Sequence, residues 1–367
     1  MSTDFGFADT SVASHLREAL ADLFEAHEVT VGRAGQVRLR GRLLEPADTA
    51  YAKAARRFEP LGYLPIFRRE GEDAVVIALP QRLRTASSRS WVGFLLLGLT
   101  VLSMLFVGAQ IEGWDPTRGL PANPLVGLPF AATLLAILGA HELGHYLVGR
   151  HYGVPVSMPY FIPMPFSIFG TLGAVIRLKA PPTNRRVLLA IAVAGPLAGL
   201  ALAIPLLILG LRLSTVGPMP PPGAGVILEG NSILYALVKR LMFGRFLPGG
   251  GLDVNLSSVA FAAWAGLFVT GLNLIPAGQL DGGHVAYVLL GERARYLSLG
   301  LAAALLGLGL FVWPGWYLWA ALIFVFGQTF ATPLDEITRL DAKRVALALA
   351  MLVIFVLIFT PIPLVEL

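Results

Sequence analysis

The chain has 367 residues, of which 56% are hydrophobic and 14% are charged, and its net charge is +5. A soluble globular domain carries roughly 25% charged residues, so this composition excludes an ordinary soluble protein and indicates a membrane protein. The basic residues lie mostly beside apolar segments, which favours loops near lipid head groups and no nucleic-acid partner. The absence of cysteine excludes disulfides, a thiol nucleophile and thiolate metal ligands.

The first quarter of the chain differs in composition from the rest. Residues 1–90 hold 25 of the 51 charged residues. We therefore predict a small soluble α+β domain over residues 1–88 and a membrane domain over residues 89–367. Periodicity predicts, in chain order, a helix over 12–24, a strand over 36–44, a helix over 47–57 and a hairpin formed by 63–68 and 74–79. The alternating arginines of the first strand could bind anionic lipid, but the solvated face of a strand is the preferred interpretation.

The remaining sequence predicts a polytopic α-helical membrane protein with about six to eight transmembrane helices. The excess of Lys and Arg in alternate loops places the N-terminal domain in the cytoplasm. Residues 231–246 carry too many basic residues to span, so an amphipathic surface helix is expected there. The predicted spans are 91–110, 125–148, 187–211, 256–276, 296–313, 316–331 and 345–363.

An apolar but proline-rich stretch interrupts these spans between residues 154 and 175. It contains four prolines before the sequence Phe-Gly-Thr-Leu-Gly, so a continuous helix is excluded. Irregular backbone at membrane depth is tolerated when protein covers it or a water-filled cavity meets it. We expect a re-entrant strand or hairpin against a cavity; the alternative is an ordinary loop at the membrane surface.

The sequence His141-Glu142-Leu143-Gly144-His145 lies inside a predicted span. Positions i and i+4 share one face of a helix, which suits two zinc ligands with a glutamate as general base. Charged and imidazole side chains within hydrocarbon are costly unless they meet a metal or a polar cavity. The alternative interpretation is a buried hydrogen-bonding cluster between helices.

A catalytic zinc ion needs three protein ligands and an open position for water. Asp281 is the best candidate for the third ligand, because it follows an apolar span. Pro276 and Gly278 should end the helix and let Asp281 reach sideways. The alternative is a turn aspartate at the membrane interface.

Three separated motifs make the sequence resemble the site-2 proteases, a family of intramembrane zinc metalloproteases. They are HELGH at 141–145, FGTLGAVIRLKAPPTNRR at 169–186 with AVAGPLAGL at 192–200, and NLIPAGQLDGGH at 273–284. The resemblance covers a core of about 125–285. The N-terminal domain is similar to that of a bacterial and plastid branch of the family. Gly195 and Gly199, within the second motif, are interpreted as helix-packing positions.

The resemblance implies a role for each matching residue. His141, His145 and Asp281 would bind one zinc ion per chain, and Glu142 would move a proton from the attacking water to the leaving amine. Asn273 would steady the substrate backbone or the oxyanion, unless it only hydrogen-bonds between helices.

Three more residues are candidates beside the implied ligands. Gly170 and Gly173 would present a strand edge to an unwound substrate. His284 is a candidate to orient a metal ligand; otherwise it is an interfacial histidine.

The predicted function is therefore hydrolysis of peptide bonds in a membrane-spanning protein substrate. Two other functions remain open. One is a catalytically inactive adaptor or chaperone, which usually loses a motif residue; the other is a metal transporter, which predicts polar residues spread over several spans. With no targeting peptide evident near Met1, we expect an integral protein of a bacterial plasma membrane. The substrate and the oligomeric state cannot be read from the sequence.

Overall fold

The computed structural model describes residues 6–80, 90–115, 117, 119, 123, 125–221, 223 and 226–366. The chain divides into two compact units, which are treated separately. The first unit comprises the described part of Met1–Ser87 together with Ala180–Leu188 and Ala331–Arg344. Its own elements are α1 (Gly6–Glu18), β1 (Phe24–Val31), β2 (Val37–Leu43), α2 (Ala47–Phe58), β3 (Tyr63–Glu70) and β4 (Asp73–Pro80).

The first unit contains an antiparallel sheet with strand order β1-β2-β4-β3. Buried residues of both helices and of the strands form one hydrophobic core. The predicted first strand, second helix and hairpin are confirmed. The predicted helix over 12–24 is wrong beyond Glu18, because the buried Leu20 and Leu23 fill the core from a turn rather than from a helix. Asp22 in this turn bonds to Arg57 of α2, and this hydrogen bond lowers the pKa of the carboxyl to about 2.

Two arginines of the row on β2 are paired with acidic side chains of β3 and β4. Arg38 contacts Glu70, and the Nε of Arg40 donates to Asp73 at 2.7 Å. These side chains are partly exposed. The row is therefore the solvated, ion-paired face of a strand, as preferred from the sequence.

Two segments that the sequence places in the membrane domain complete this sheet. The N–H of Phe67 in β3 donates to the carbonyl of Leu334 at 2.8 Å, and the N–H of Asp335 donates to the carbonyl of Thr183 at 2.7 Å. Leu334 and Ile337 pack against the core of the unit. The edge of β3 is thus covered by two extended pieces of chain from far along the sequence.

The Asp335 side chain stabilises the segment that covers this edge. This side chain is fully buried and accepts hydrogen bonds from the N–H groups of Ile337 at 2.8 Å and Thr338 at 3.2 Å, and from the Thr338 hydroxyl.

We expect Asp335→Ala to lower the free energy of unfolding of the first unit by about 1–3 kcal/mol, because buried donors lose their acceptor. Asp335→Asn keeps one oxygen that can accept both backbone N–H groups, so its effect should be smaller. Thermal unfolding, monitored by the protease sensitivity of β3 and β4, measures the effect of both substitutions. Equal stability of wild type and Asp335→Ala would contradict the role given to this carboxylate.

The second unit holds the apolar helices, and seven of them lie at the predicted spans. Within the described residues, four candidate spans are long and apolar enough to cross a membrane: Trp91–Ile111, Leu128–His151, Arg185–Arg212 and Asp281–Phe311. The fourth of these spans begins earlier than predicted, because the helix Asp281–Leu290 continues through one 3-10 turn into the helix Ala294–Phe311. The apolar helices Ser258–Asn273 and Trp316–Phe326 are shorter, so the total of six to eight transmembrane helices stays a prediction. The helices are α3 (Ser90–Ile111), α4 (Leu128–His151), α5 (Arg185–Arg212), α6 (Ile233–Phe243), α7 (Ser258–Asn273), α8 (Asp281–Leu290), α9 (Ala294–Phe311), α10 (Trp316–Phe326) and α11 (Ala342–Ile358).

Short strands join these helices. Four of them form two antiparallel pairs, Thr215–Pro218 with Leu252–Asn255 and Ile227–Glu229 with Leu364–Glu366, while Tyr160–Pro163 and Thr171–Val175 form the hairpin expected between residues 154 and 175. The hairpin continues beyond the strands, since the N–H of Ser157 donates to Arg177 and that of Lys179 donates to Pro155. The strands are β5 (Tyr160–Pro163), β6 (Thr171–Val175), β7 (Thr215–Pro218), β8 (Ile227–Glu229), β9 (Leu252–Asn255) and β10 (Leu364–Glu366).

The expected amphipathic helix in residues 231–246 is α6. The hydroxyl of Ser232 accepts from the N–H of Tyr235 at its start, and Gly244 ends it with a left-handed φ of 74°. Its 11 residues are too few to cross a bilayer.

Candidate metal centre

Two helices bring three potential metal ligands together in the second unit. His141 and His145 lie one turn apart on α4, and Asp281 is the first residue of α8. The Nε2 atoms of the histidines are 3.2 Å apart, and the Asp281 carboxylate lies 3.1 Å from His141 and 3.3 Å from His145. Both imidazoles are buried. Within the described residues, this is the group that could hold a metal ion.

The spacing of these atoms suits zinc. Zinc bonds to nitrogen and oxygen ligands of about 2.0–2.2 Å, so two ligand atoms of a tetrahedral site lie roughly 3.3 Å apart. The two Nε2 atoms are 3.2 Å apart, one oxygen of Asp281 lies 3.1 Å from His141, and its other oxygen lies 3.3 Å from His145. Two neutral imidazoles and one carboxylate are also a common ligand set of catalytic zinc. The residues therefore fit one zinc ion.

Helix α5 forms the floor beneath both histidines. A Cβ added at Gly195 would overlap the imidazole of His145, and one added at Gly199 would lie 3.3 Å from the Cβ of His141. The two glycines are four residues apart, like the two histidines, so each glycine lies under one ring. The predicted close packing is confirmed, but the sequence did not reveal which side chains it serves; the Gly-x-x-x-Gly spacing was the available signal.

A backbone carbonyl of α5 orients one of these rings. The Nδ1 of His145 donates to the carbonyl of Ile191 at 2.7 Å. Because a carbonyl can only accept, Nδ1 carries the proton and Nε2 keeps its lone pair directed at the centre. The sequence gave no signal for this contact.

The break before Asp281 occurs where Pro276 and Gly278 predicted it. Helix α7 ends at Asn273, and Gly278 has a left-handed φ of 55°. The following glycines have a purpose that the sequence did not reveal: a Cβ at Gly282 or Gly283 would collide with carbonyl groups of the 274–278 loop. The first turn of α8 therefore lies directly on that loop, with Asp281 at the helix N-terminus that favours a negative charge.

Glu142, Asn273 and His284 are the motif residues outside the His-His-Asp group. Glu142 is buried on α4 next to His141, and the Nδ2 of Asn273 is 3.5 Å from the Nε2 of His141. His284 is not part of the His-His-Asp group, and its Nδ1 is buried without a partner in the described chain. A role for His284 in orienting a ligand stays a prediction.

The two hairpin glycines are fixed by contacts with hydroxyl groups. The Ser103 hydroxyl of α3 donates to the carbonyl of Gly170 at 2.6 Å, and a Cβ at Gly170 would lie 2.9 Å from the backbone of Met104. The N–H of Gly173 donates to the Thr171 hydroxyl at 3.0 Å. Both glycines have positive φ angles. They allow β6 to start against α3 and to pack against α4.

The sequence matches the profile of Peptidase family M50 over residues 129–312, which is half of the chain and includes every candidate ligand. The chain therefore belongs to Peptidase family M50, and the resemblance to the site-2 proteases is confirmed. No solved structure matches significantly.

Plant proteins named as zinc metalloproteases are among the relatives. "Probable zinc metalloprotease EGY2, chloroplastic" of Arabidopsis thaliana is 32% identical over 349 residues, which is 90% of this chain and 61% of the relative. The rice (Oryza sativa subsp. indica) protein of the same name is 34% identical over 65% of this chain and 43% of the relative. "Probable zinc metalloprotease EGY1, chloroplastic" of A. thaliana is 32% identical over 64% and 43%. The chain thus spans about three fifths or less of these relatives.

Gly195→Ala tests the floor beneath the centre. We expect the added methyl group to displace the His145 ring and to lower the zinc content of the purified protein severalfold, because the ligand atoms lose their tetrahedral spacing. Gly139→Ala on α4 is the matched control, since a Cβ there meets nothing within 4 Å. Metal analysis of both variants gives the result; full zinc content in Gly195→Ala would show that the ring position is not set by this contact.

Proposed function

We propose that the chain is an intramembrane endopeptidase that hydrolyses peptide bonds in membrane-spanning protein substrates. In this proposal His141, His145 and Asp281 hold the zinc ion, and Glu142 is the general base. The supporting observation is that three potential ligand residues from two helices far apart in the sequence meet, with the closest nitrogen and oxygen atoms of each pair 3.1–3.3 Å apart. Membership of a metallopeptidase family and four candidate membrane spans agree with it.

Each group then has a chemical task. Zinc, when bound, supplies a Lewis acid that polarises the scissile carbonyl and makes water a stronger nucleophile. Glu142 takes a proton from the attacking water and delivers it to the nitrogen of the leaving amine. Asn273 directs its side-chain amide to the same centre, where it can donate to the substrate carbonyl.

The zinc content and cleavage activity of matched variants test these assignments. Asp281→Ala should lose zinc and activity together, since one ligand is removed. Glu142→Gln should keep zinc and lose roughly 10²–10⁴-fold in cleavage rate, because only the proton transfer is removed. Removal of zinc from the wild-type protein by a chelator should abolish cleavage, and added zinc should restore it.

Three outcomes would count against the assignments. Full zinc content in Asp281→Ala would mean that another residue is the third ligand, with His284 the next to test. Undiminished cleavage by Glu142→Gln in a purified assay would exclude Glu142 as the base. A wild-type protein without zinc after gentle purification would favour the inactive adaptor.

The edge of β6 that does not pair with β5 in the described part of the chain is proposed to receive the unwound substrate. A helical substrate engages its own carbonyl groups in hydrogen bonds, so it must be extended before attack, and pairing with a strand stabilises the extended form. Thr171–Val175 is paired on one side by β5 and packs against α4, which carries the general base. Leu172 of this strand is 64% exposed and is available for contact with an apolar substrate.

Ser103→Ala tests whether the position of this strand matters for cleavage. We expect a higher KM and additional cleavage sites at unchanged zinc content, because loss of the bond to Gly170 frees the start of β6. Ser103→Thr keeps the hydroxyl and should restore a single site. Thr100→Val is the control: the Thr100 hydroxyl lies one turn away on the same helix and is buried without a partner in the described chain. Mass spectrometry of the cleavage products should show additional sites for Ser103→Ala and the wild-type site for the other three proteins. Identical products from Ser103→Ala and wild type would exclude this role.

The orientation and location of the protein remain predictions. From the distribution of Lys and Arg, we propose that the first unit lies in the cytoplasm; a bacterial plasma membrane as the host membrane stays a prediction. The plant relatives are named as chloroplastic. A protease-protection assay on sealed vesicles decides the side on which the first unit lies.

A further inference from the structure

Helix α6 has an exposed apolar stripe on the face opposite to its buried one. Ile233, Leu237 and Leu241 recur every four residues and are exposed, with Leu241 at 79%. Tyr235 and Val238 on the other face are buried in the protein. An apolar stripe of this kind on a membrane protein requires an apolar environment, because exposure to water is unfavourable.

The acidic residues near this helix are removed from the surface. Glu229 and Asp253 are the two acidic residues of the segment 213–257. Both carboxylates are buried around the ammonium of Lys239, at 3.4 Å and 3.9 Å, and Lys239 itself is 0% exposed. Tyr235 also donates its hydroxyl to Glu229 at 2.9 Å. Burial raises the pKa of Glu229 and lowers that of Lys239.

The exposed charge of the segment is therefore entirely positive. Arg240 and Arg245 are both exposed; Arg240 lies on α6 next to Leu241 of the stripe, and Arg245 follows the end of the helix. The guanidinium of Arg240 lies 4.9 Å from the centre of the Phe246 ring, which is itself 55% exposed. Apolar side chains next to arginines and an exposed aromatic ring are typical of a helix at the boundary between acyl chains and head groups.

We propose that α6, together with Arg245 and Phe246, is an interfacial surface that binds anionic lipid head groups of the bilayer in which the protein is embedded. The stripe of Ile233, Leu237 and Leu241 and the Phe246 ring lie among the acyl chains, close to the head groups. Arg240 and Arg245 extend to the phosphates, which a planar guanidinium binds through two hydrogen bonds. This proposal is independent of the peptidase mechanism.

A fluorescent label can test the position of the stripe, because the chain has no cysteine of its own. The variant Leu241→Cys, labelled with an environment-sensitive dye, is reconstituted in phosphatidylcholine vesicles and in an equal mixture of phosphatidylcholine and phosphatidylglycerol. We expect blue-shifted emission and strong quenching by brominated lipids, both greater in the anionic vesicles. Leu44→Cys, an exposed position of the first unit, is the labelling control.

Lipid retention tests the head-group contacts. In native mass spectrometry, Arg240→Gln/Arg245→Gln should retain phosphatidylglycerol roughly tenfold more weakly than the wild type, and the difference should shrink at high salt. Arg42→Gln/Arg56→Gln, which removes two exposed arginines of the first unit, should behave as the wild type. A label at Leu241 that is quenched by aqueous iodide and not by brominated lipid would overturn the proposal. Unchanged lipid retention in Arg240→Gln/Arg245→Gln would overturn the head-group contact.

Discussion

Two imidazoles and a carboxylate lie together within apolar helices, and this arrangement constrains the rest of the second unit. Unpaired polar groups in such surroundings cost several kcal/mol, so they persist when they satisfy one another or a metal ion. His141, His145 and Asp281 meet this condition because their ligand atoms approach to 3.1–3.3 Å. That approach depends on the placement of α4 and α8, which carry the three residues, and of α5, which packs beneath the histidines.

Glycine makes this placement possible at each contact. Gly195 and Gly199 let α5 lie directly under the two imidazoles, and Gly282 and Gly283 let α8 start directly on its preceding loop. Without a hydrophobic driving force between helices in lipid, such close van der Waals packing is a main source of helix association. The residues that hold the centre together therefore carry no chemistry of their own, which is why a search for reactive side chains does not find them.

Local signals in the sequence predicted much of the site. The i, i+4 histidines fixed one helical face, Pro276 and Gly278 predicted the break before Asp281, and the prolines before Gly170 predicted a hairpin in place of a helix. The orientation of His145 by the Ile191 carbonyl was not predictable, because every residue offers the same carbonyl group. Strand β1 was missed, since Leu20 and Leu23 continue a helical spacing while they fill the core from a turn. The pairing of β3 with residues 334–336 joins positions 266 residues apart and leaves no local pattern.

The first unit combines segments that are far apart in the chain, and this has a consequence for its synthesis. At roughly 5–20 residues per second, the ribosome needs about 10–50 s after β3 to complete Leu334 and its neighbours. During this interval β3 has an open edge, which is a site for non-native pairing with other strands. The sheet closes only after the helices between β4 and Ala331 have been synthesised. Completion of the first unit is therefore a late step, and protease resistance of β3 would report that residues 334–336 have been synthesised.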